Sequence, residues 1–516
     1  MAKKTIVRKG VYYDSVKLML VTREIKNMDG VKEVAVVMGT DLNKESLERT
    51  GLITEESALA SATDMIVGIS CDDEGQLDEI FQKLDSLLNA NASGSDKEIY
   101  RPKSVETAVK IQPGSNVCTI SIPGRYARDM AMEALQNGLH VMLFSDNVTL
   151  EEELELKTFA RKKDLLVMGP DCGTAMINQV PLCFCNKIRQ GNIGIVAASG
   201  TGAQEVMTLI HKYGGGVTQV IGTGGRDLKE EIGGITVLQA LEALNEDEAT
   251  EIITLVSKPP SEKIAEKVIG YIRENVKKPT VINFLGGDKA KAQGNIHFTP
   301  TLEQAALKSL ELSGAAGPQL ILAETDEMVR TADRESGKIR KTGKYVRGLY
   351  SGGTLGYEAL YCLKDTVSGI STNMGDHEEL VDCFALEGNA CIDLGDDVFT
   401  VGRAHPMIDP TFRTEIFNGQ LRSPETAVIL MDLVLGYGAN AAPHQDLIDQ
   451  LAAYRQELGR DDLDVSIIVS LCGSEDDPQD YDGIVEALEE YGVVIMPSNL
   501  KAAQMAAEVL KRRKMA

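Results

Sequence analysis

The sequence predicts an α/β protein in which a small α+β module precedes a parallel-sheet unit and two related α/β domains. Three observations support this class. Apolar runs of strand length alternate with amphipathic helical segments, which is typical of parallel sheets with helical crossovers. A glycine-rich strand-to-helix turn occurs twice, and the features after each copy follow in the same order. A polar small-residue linker, NANASGSDK at 89–97, separates the first module from the rest.

Composition and charge exclude several classes of partner. The chain has 516 residues, enough for three or four domains, and its 43% hydrophobic and 25% charged content is that of a globular protein. A net charge of −24 disfavours nucleic acid or an anionic membrane as partner. The sequence has no apolar run of 18 residues and no signal-peptide pattern, so we expect a cytoplasmic protein.

The cysteines and histidines do not form a recognisable metal or disulfide pattern. Nine scattered cysteines do not suggest a disulfide framework, and the six histidines show no HxH or HExxH spacing. We therefore predict no metal site.

Residues 1–90 predict a module with strand, helix, strand, and then strand and helix, compatible with a ferredoxin-like or ACT-like fold. It contains no catalytic constellation. We expect an assembly or regulatory role.

Residues 98–186 predict a βαβ unit whose strand at 165–168 ends in GPDCGT at 169–174. Ligands of parallel sheets bind beyond the carboxyl ends of the strands, so Asp171 and Cys172 are candidate binding residues. The same segment could equally be a plain loop.

Residues 190–315 contain the first glycine-rich turn. A buried strand runs into Ser199, Gly200, Thr201 and Gly202, where a helix begins. The unpaired N–H groups and the helix dipole suit a phosphate or carboxylate there. A tight turn with a serine or threonine N-cap would look the same.

Residues 340–516 repeat the pattern. The second turn is Ser351, Gly352, Gly353 and Thr354, and its helix carries Glu358 where the first carries Glu205. Three later strand ends and the closing strand–helix pair also match in order. This agreement predicts two related domains.

These residues resemble a known family. Residues from about 104 to 310 resemble the α subunit of succinyl-CoA synthetase: GPDC at 169–172 matches its GPNC-type turn, and SGT at 199–201 matches its helix start. Residues from about 345 to 510 resemble the corresponding β-subunit domain, and DLGDDVFTVGRAHPMID at 393–409 resembles FdrA-type acyl-CoA-synthetase-like proteins. The resemblance implies a Rossmann-like CoA-binding-type unit at 98–186 and flavodoxin-like domains at 190–315 and 340–516.

The chain departs from succinyl-CoA synthetase at its reactive groups. The interval 285–301 has no GHAG-type loop, so His297 is the only imidazole available there for phosphorylation. Lys258 stands where that family has a glutamate, and could hold phosphate or be only an exposed loop lysine. The glycine-rich loop for the CoA nucleotide and an ATP-grasp domain are missing from the sequence, and there is no P-loop.

The FdrA resemblance implies a component of an oxamate-type carbamoyltransferase, which converts oxalurate and phosphate to oxamate and carbamoyl phosphate. No cofactor is then required, and other carbamoyltransferase subunits are the expected partners. We expect the two turns to bind phosphate with Lys258 as counter-charge. Two arginines, Arg226 after Gly224 and Gly225, and Arg403, would hold the substrate carboxylate.

His405 is the candidate general acid or polarising group, although it could be a histidine satisfied within its loop. Asp396 and Asp397 are expected to position that loop. Two other functions stay open. One is an NDP-forming acyl-CoA synthetase subunit, which would bind CoA and need a separate ATP-grasp partner. The other is a non-catalytic anion-sensing scaffold.

Overall fold

The computed structural model describes residues 2–515, except 12, 14, 27, 29, 41–42, 45–46, 49, 62, 90–101, 288–293, 316–324, 376–381 and 401–402. The chain forms two compact units. One contains residues 1–101 with 400–404, and the other contains residues 102–399 with 405–516. Among the described residues, no helix is both long and apolar enough to cross a membrane.

The first unit is a three-stranded antiparallel sheet of order β1-β3-β2 with helices on its faces. Its elements are β1 (Ala2–Arg8), α1 (Ser15–Lys26), β2 (Val31–Met38), α2 (Glu55–Ala58), β3 (Met65–Cys71), a 3-10 turn (Glu74–Gln76) and α3 (Leu77–Asn89). Strand β3 is central and buried on both faces, which explains its uninterrupted apolar run. The predicted α+β module is confirmed.

The second unit begins with a three-stranded parallel sheet of order β4-β5-β6. Its elements are α4 (Val105–Ile111), β4 (Val117–Ile120), α5 (Gly124–Gln136), β5 (His140–Leu143), α6 (Leu150–Lys162) and β6 (Val167–Met168). The predicted domain extends to 186, but the hairpin β7 (Thr174–Ile177) and β8 (Val180–Cys183) pairs with the next sheet. The change from this sheet to the next therefore lies between Met168 and Thr174.

The second sheet has seven strands in the order β13-β12-β11-β9-β10-β7-β8. The elements after the hairpin are β9 (Gln190–Ala197), α7 (Gly200–Lys212), β10 (Val217–Gly222), α8 (Ile235–Glu246), β11 (Ile252–Ser257), α9 (Glu262–Asn275), β12 (Thr280–Phe284), β13 (Ile296–Thr299) and α10 (Leu302–Ser313). Strands β9 to β13 are parallel.

The third sheet has six parallel strands in the order β15-β16-β14-β17-β18-β19. Its strands are β14 (Tyr345–Tyr350), β15 (Ile370–Ser371), β16 (Asn389–Asp393), β17 (Thr426–Val434), β18 (Ser466–Cys472) and β19 (Val494–Met496). Its helices are α11 (Thr325–Lys338), α12 (Gly353–Leu363), α13 (Asp397–Thr400), α14 (Thr411–Arg422), α15 (Gln445–Leu458), α16 (Tyr481–Glu490) and α17 (Asn499–Met515).

The two large sheets are built alike. The order β13-β12-β11-β9-β10 corresponds, strand for strand, to β19-β18-β17-β14-β16. The first helix of each copy, α7 or α12, packs in one shared apolar core with the last helix, α10 or α17. This arrangement brings the amino ends of α7 and α12 to the same place.

Candidate functional site

The two glycine-rich turns contact each other. Ser199 is the N-cap of α7 and accepts a bond from Gly202 N–H at 3.0 Å, and its hydroxyl lies 2.7 Å from Thr354 Oγ1. On the other side, a Cβ on Gly352 would lie 2.8 Å from Thr201 Cγ2. The amino ends of both helices therefore meet through small residues and hydroxyls.

The sheet register shows how the copies differ beside these turns. Ala197, two residues before the N-cap Ser199, pairs with Gly222 and Val256. Tyr350, two residues before the N-cap Gly352, pairs with Asp393.

The neighbouring strand of the second copy completes the comparison. Leu349 pairs with Met431, so Asp432 lies level with Tyr350. The second copy thus has Asp393 and Asp432 where the first has Gly222 and Val256.

Asp432 already occupies part of the second turn. Its carboxylate accepts from Ser351 N–H and Gly352 N–H at 2.8 Å each and from the Ser351 hydroxyl at 3.0 Å, and it pairs with buried Arg413 at 2.8 Å. The sequence predicts that Ser351 and Gly352 bind phosphate through these groups. Because the Asp432 carboxylate already accepts from these groups, the start of α12 at Gly353 and Thr354 is the part of the second turn that is left for a ligand.

Asp393 and Lys258 lie beside that opening. A Cβ on Gly353 would overlap Asp393 Oδ2 and lie 3.4 Å from Lys258 Nζ. Asp393 Oδ1 accepts from Gly395 N–H at 3.0 Å. Burial raises the pKa of Asp393 to about 7, although Lys258 opposes the shift. Sequence reasoning missed Asp393, and its one signal was an acidic residue at the end of a buried strand.

The loop after β10 packs on the loop after β6. Gly224 has φ +82, and a side chain there would meet the carbonyl oxygen of Pro170. A Cβ on Gly225 would lie 3.9 Å from Asp171 Oδ2. The predicted residues Gly224, Gly225 and Asp171 are therefore neighbours.

Asp171 lies near other carboxylates. Burial of its carboxyl group raises its pKa to about 6, Asp397 and Asp146 raise it further, and Arg226 and Lys258 lower it. A second anion at this point would meet repulsion unless Lys258 or Arg226 faces it.

Arg226 is partly engaged inside the protein. It donates to the carbonyl of Val148 at 2.7 Å and pairs with buried Glu153 at 3.0 Å. Its Nε is buried without a hydrogen-bond partner among the described residues. Arg226 can therefore donate only some of its guanidinium N–H groups to a substrate carboxylate.

Cys172 and Thr174 are both buried, but they differ in what they can offer a ligand. Cys172 is buried behind Gly222, and burial raises its thiol pKa to about 12, so it is no nucleophile at neutral pH. Thr174 is 1% exposed, and its hydroxyl has no hydrogen-bond partner among the described residues. That oxygen lies 3.3 Å from the Cβ position of Gly200. It is an orphaned polar group at the start of α7.

The next two predicted site residues are His405, the candidate general acid or polarising group, and Arg403, the candidate carboxylate-binding arginine. His405 packs against Gly395 and accepts from Met407 N–H through Nδ1 at 3.2 Å. Burial lowers its pKa to about 4, so it is neutral at pH 7 and can polarise a group but cannot serve as a charged acid. Arg403 belongs to the segment 400–404, which groups with the first compact unit.

His297 lies in β13, where burial and Lys308 lower its pKa. The loop in which the synthetase family carries its histidine overlaps 288–293, outside the described residues. The sequence of those six residues, DKAKAQ, contains no histidine.

Among the described residues, no group of three or more potential metal ligands lies together. Residues 1–103 contain one cysteine, Cys71, and no histidine. Cys71 is fully buried, and its thiol donates to the carbonyl of Asp73.

Three family models match separate parts of the chain. A model described as AllF, heavy metal-associated domain, matches residues 1–103, CoA binding domain matches 188–285, and CoA-ligase matches 349–509. The soft thiolate ligands that heavy metals prefer are lacking from the first region, since it has a single buried cysteine. The CoA-binding match lies one domain further along the chain than the unit at 98–186 for which we expected that resemblance.

Relatives cover the chain to different extents. The YahF protein of Escherichia coli (strain K12) is 38% identical over 514 residues, 99% of both chains. The alpha subunit of succinate–CoA ligase [ADP-forming] of Staphylococcus epidermidis is 26% identical over 191 residues, 36% of this chain and 61% of that subunit. The chain therefore spans less than two thirds of that subunit's length.

Among solved structures, a dinucleotide-forming acetyl-coenzyme A synthetase of Ca. Korarchaeum cryptofilum in complex with phosphate and ADP is 14% identical with a TM-score of 0.30, over 86% of this chain and 94% of that one. The family matches and relatives define an acyl-CoA-synthetase-like protein. The chain belongs to the FdrA-like family that includes YahF.

Proposed function

We propose that this chain is the component of an oxamate-type carbamoyltransferase that binds phosphate where the two glycine-rich turns meet. The reaction is oxalurate plus phosphate giving oxamate and carbamoyl phosphate. The observation that carries the proposal is the contact between the amino ends of α7 and α12, with the unpartnered Thr174 hydroxyl on one side and Lys258 on the other. Fixed N–H dipoles and an ammonium would stabilise the charge on the bound phosphate as it attacks the carbamoyl carbon.

The reacting groups support transfer without a phosphohistidine. His297 lies within strand β13, and His405 is a buried neutral imidazole whose Nδ1 is already bonded. A direct attack of bound phosphate on the carbamoyl carbon needs positioning and proton transfer, which the surrounding groups can supply. Other carbamoyltransferase subunits would complete the enzyme.

The test uses the chain purified with the proteins encoded beside it. Oxamate and carbamoyl phosphate are supplied and phosphate release is measured, with parallel reactions containing CoA, ATP and small carboxylic acids. Release that requires oxamate and ignores CoA supports the proposal. Turnover only with CoA and ATP refutes it.

Lys258 is tested separately by phosphate titration in a calorimeter. We expect Lys258→Ala to weaken phosphate binding about tenfold, or ~1.4 kcal/mol. Lys263→Ala is the matched control, because Lys263 is an exposed lysine paired with Glu230 on the surface. Equal affinity in both variants would remove Lys258 from the site.

The second candidate is an NDP-forming acyl-CoA synthetase subunit that awaits an ATP-grasp partner. The CoA-binding and CoA-ligase matches favour it over the carbamoyltransferase. It predicts CoA binding by this chain alone, whereas the carbamoyltransferase does not require it. The anion-sensing scaffold would instead bind phosphate with no turnover in any reconstituted complex.

A further inference from the structure

We propose that Asp393 carries the proton in the carbamoyl transfer. This inference rests on the proposed function. One oxygen of HPO₄²⁻ bonds to the carbamoyl carbon of oxalurate, and the bond from that carbon to the oxamate nitrogen breaks. Asp393 takes the proton that the phosphate brings and returns it to the departing nitrogen, so no proton is gained or lost.

The position of the carboxylate supports this role. Asp393 is 7% exposed at the end of β16, and its Oδ1 is fixed by Gly395 N–H. No hydrogen bond to Oδ2 is formed by any described residue, and Oδ2 faces Gly353 at the open start of α12 with Lys258 beside it. One oxygen is therefore held, and the other is available to a ligand.

The groups around Asp393 leave it able to hold or release a proton near neutrality. Burial is the main cause that raises its pKa to about 7, Asp396 and Asp432 raise it further, and Lys258 and the Gly395 N–H lower it. A proton carrier works best when its pKa is near the working pH.

The neighbouring titratable groups are less suited to carry the proton. Asp432 is fully buried, and both its oxygens accept from the second turn. His405 has a pKa of about 4 and a bonded Nδ1. Asp171 lies against the loop at Gly225, on the side of Arg226. Asp393 is the carboxylate that combines burial, a free oxygen and contact with the start of α12.

The experiment compares wild type, Asp393→Asn and Asp393→Glu, each purified with its co-encoded partners. Asp129→Asn is the control, because Asp129 is an exposed aspartate paired with Arg128 on α5. Phosphate release from oxamate and carbamoyl phosphate is measured from pH 5.5 to 8.5. We expect Asp393→Asn to lower kcat by about 100-fold or more and to lose the inflection near pH 7, with Asp393→Glu recovering part of the rate. An Asn variant with the wild-type rate and pH profile would overturn the proposal.

A binding measurement separates failure of this inference from failure of the proposed function. Sulfate serves as the probe because it keeps one charge state across this pH range. In wild type, sulfate affinity should fall as pH rises through 7 and Asp393 becomes charged, and Asp393→Asn should flatten this dependence. If wild type shows no turnover, the proposed function fails. If the two sulfate profiles have equal slopes, Asp393 does not face the anion and the inference fails.

Discussion

A buried lysine fixes the loop that carries Arg226, and its removal should be costly. Lys157 donates to Glu153 at 2.8 Å, to the carbonyl of Thr223 at 2.9 Å and to Asp227 at 2.7 Å. The side chains of Lys157, Glu153 and Asp227 are 0% exposed. Lys157→Met would leave two buried carboxylates with fewer partners.

The magnitude follows from that burial. Removing one partner of a buried ion pair costs about 3–5 kcal/mol, because the remaining charge stays in the protein interior. The free energy of unfolding is measured in urea by far-UV circular dichroism, since the chain has no tryptophan. We expect the variant to lose this amount and to bind phosphate more weakly, because the carbonyl of Thr223 loses its donor.

The control is Lys110→Met, which breaks an exposed pair with Glu106. Exposed pairs contribute about 0–1 kcal/mol, so this variant should unfold almost like wild type. If Lys157→Met and Lys110→Met have the same small effect, the reasoning about the buried network is refuted.

Three further outcomes are expected. Gly352→Ala brings a methyl group 2.8 Å from Thr201 Cγ2 and should weaken phosphate binding in calorimetry, whereas a Cβ on Gly419 meets nothing within 4 Å, so Gly419→Ala should leave binding intact. Burial raises the pKa of Glu358 from 4.5 to about 8 and that of Glu205 to about 7, so the folded chain holds protons that the unfolded chain has released. The free energy of unfolding should therefore fall as pH rises from about 5 to 8. Thermal midpoints measured over this range should fall less steeply for Glu358→Gln than for wild type. Equal slopes for the two proteins would contradict this role of Glu358. Zn²⁺ should leave the thermal midpoint of the full chain unchanged, because residues 1–103 have one cysteine and no histidine and no group of three or more potential ligands occurs among the described residues; a rise of several degrees would contradict this reasoning about the metal ligands.

The sheets were predictable because their strands are apolar on both faces. The hairpin β7–β8 was not. Its turn residues, Asn178 and Gln179, both have positive φ, which an Asn-Gly pair would have signalled and Asn-Gln does not. The predicted unit at 98–186 therefore includes a hairpin that follows β6 in sequence but pairs with β10.

The site was predictable only in part. Glycines and hydroxyl residues at two strand ends indicated helix N-termini suited to an anion, and the structure places these turns together. Asp432 lies in the middle of a long apolar strand, and its contact with Ser351 depends on the pairing of β14 with β17, which local sequence does not contain. The same limit applies to Asp393, whose neighbour Lys258 lies in the other copy of the repeat.

The duplicated fold therefore produces an asymmetric site. Each copy offers a helix N-terminus, but two adjacent turns that both bound free anions would force the anions against each other. In the second copy Asp432 bonds the N–H groups of Ser351 and Gly352, and buried Arg413 balances its charge. The first copy has Gly222 and Val256 at the equivalent places, so the start of α7 has no such internal carboxylate. A phosphate would accordingly bind where the start of α7 meets the open start of α12, and the second copy would contribute Asp393 rather than a second phosphate site.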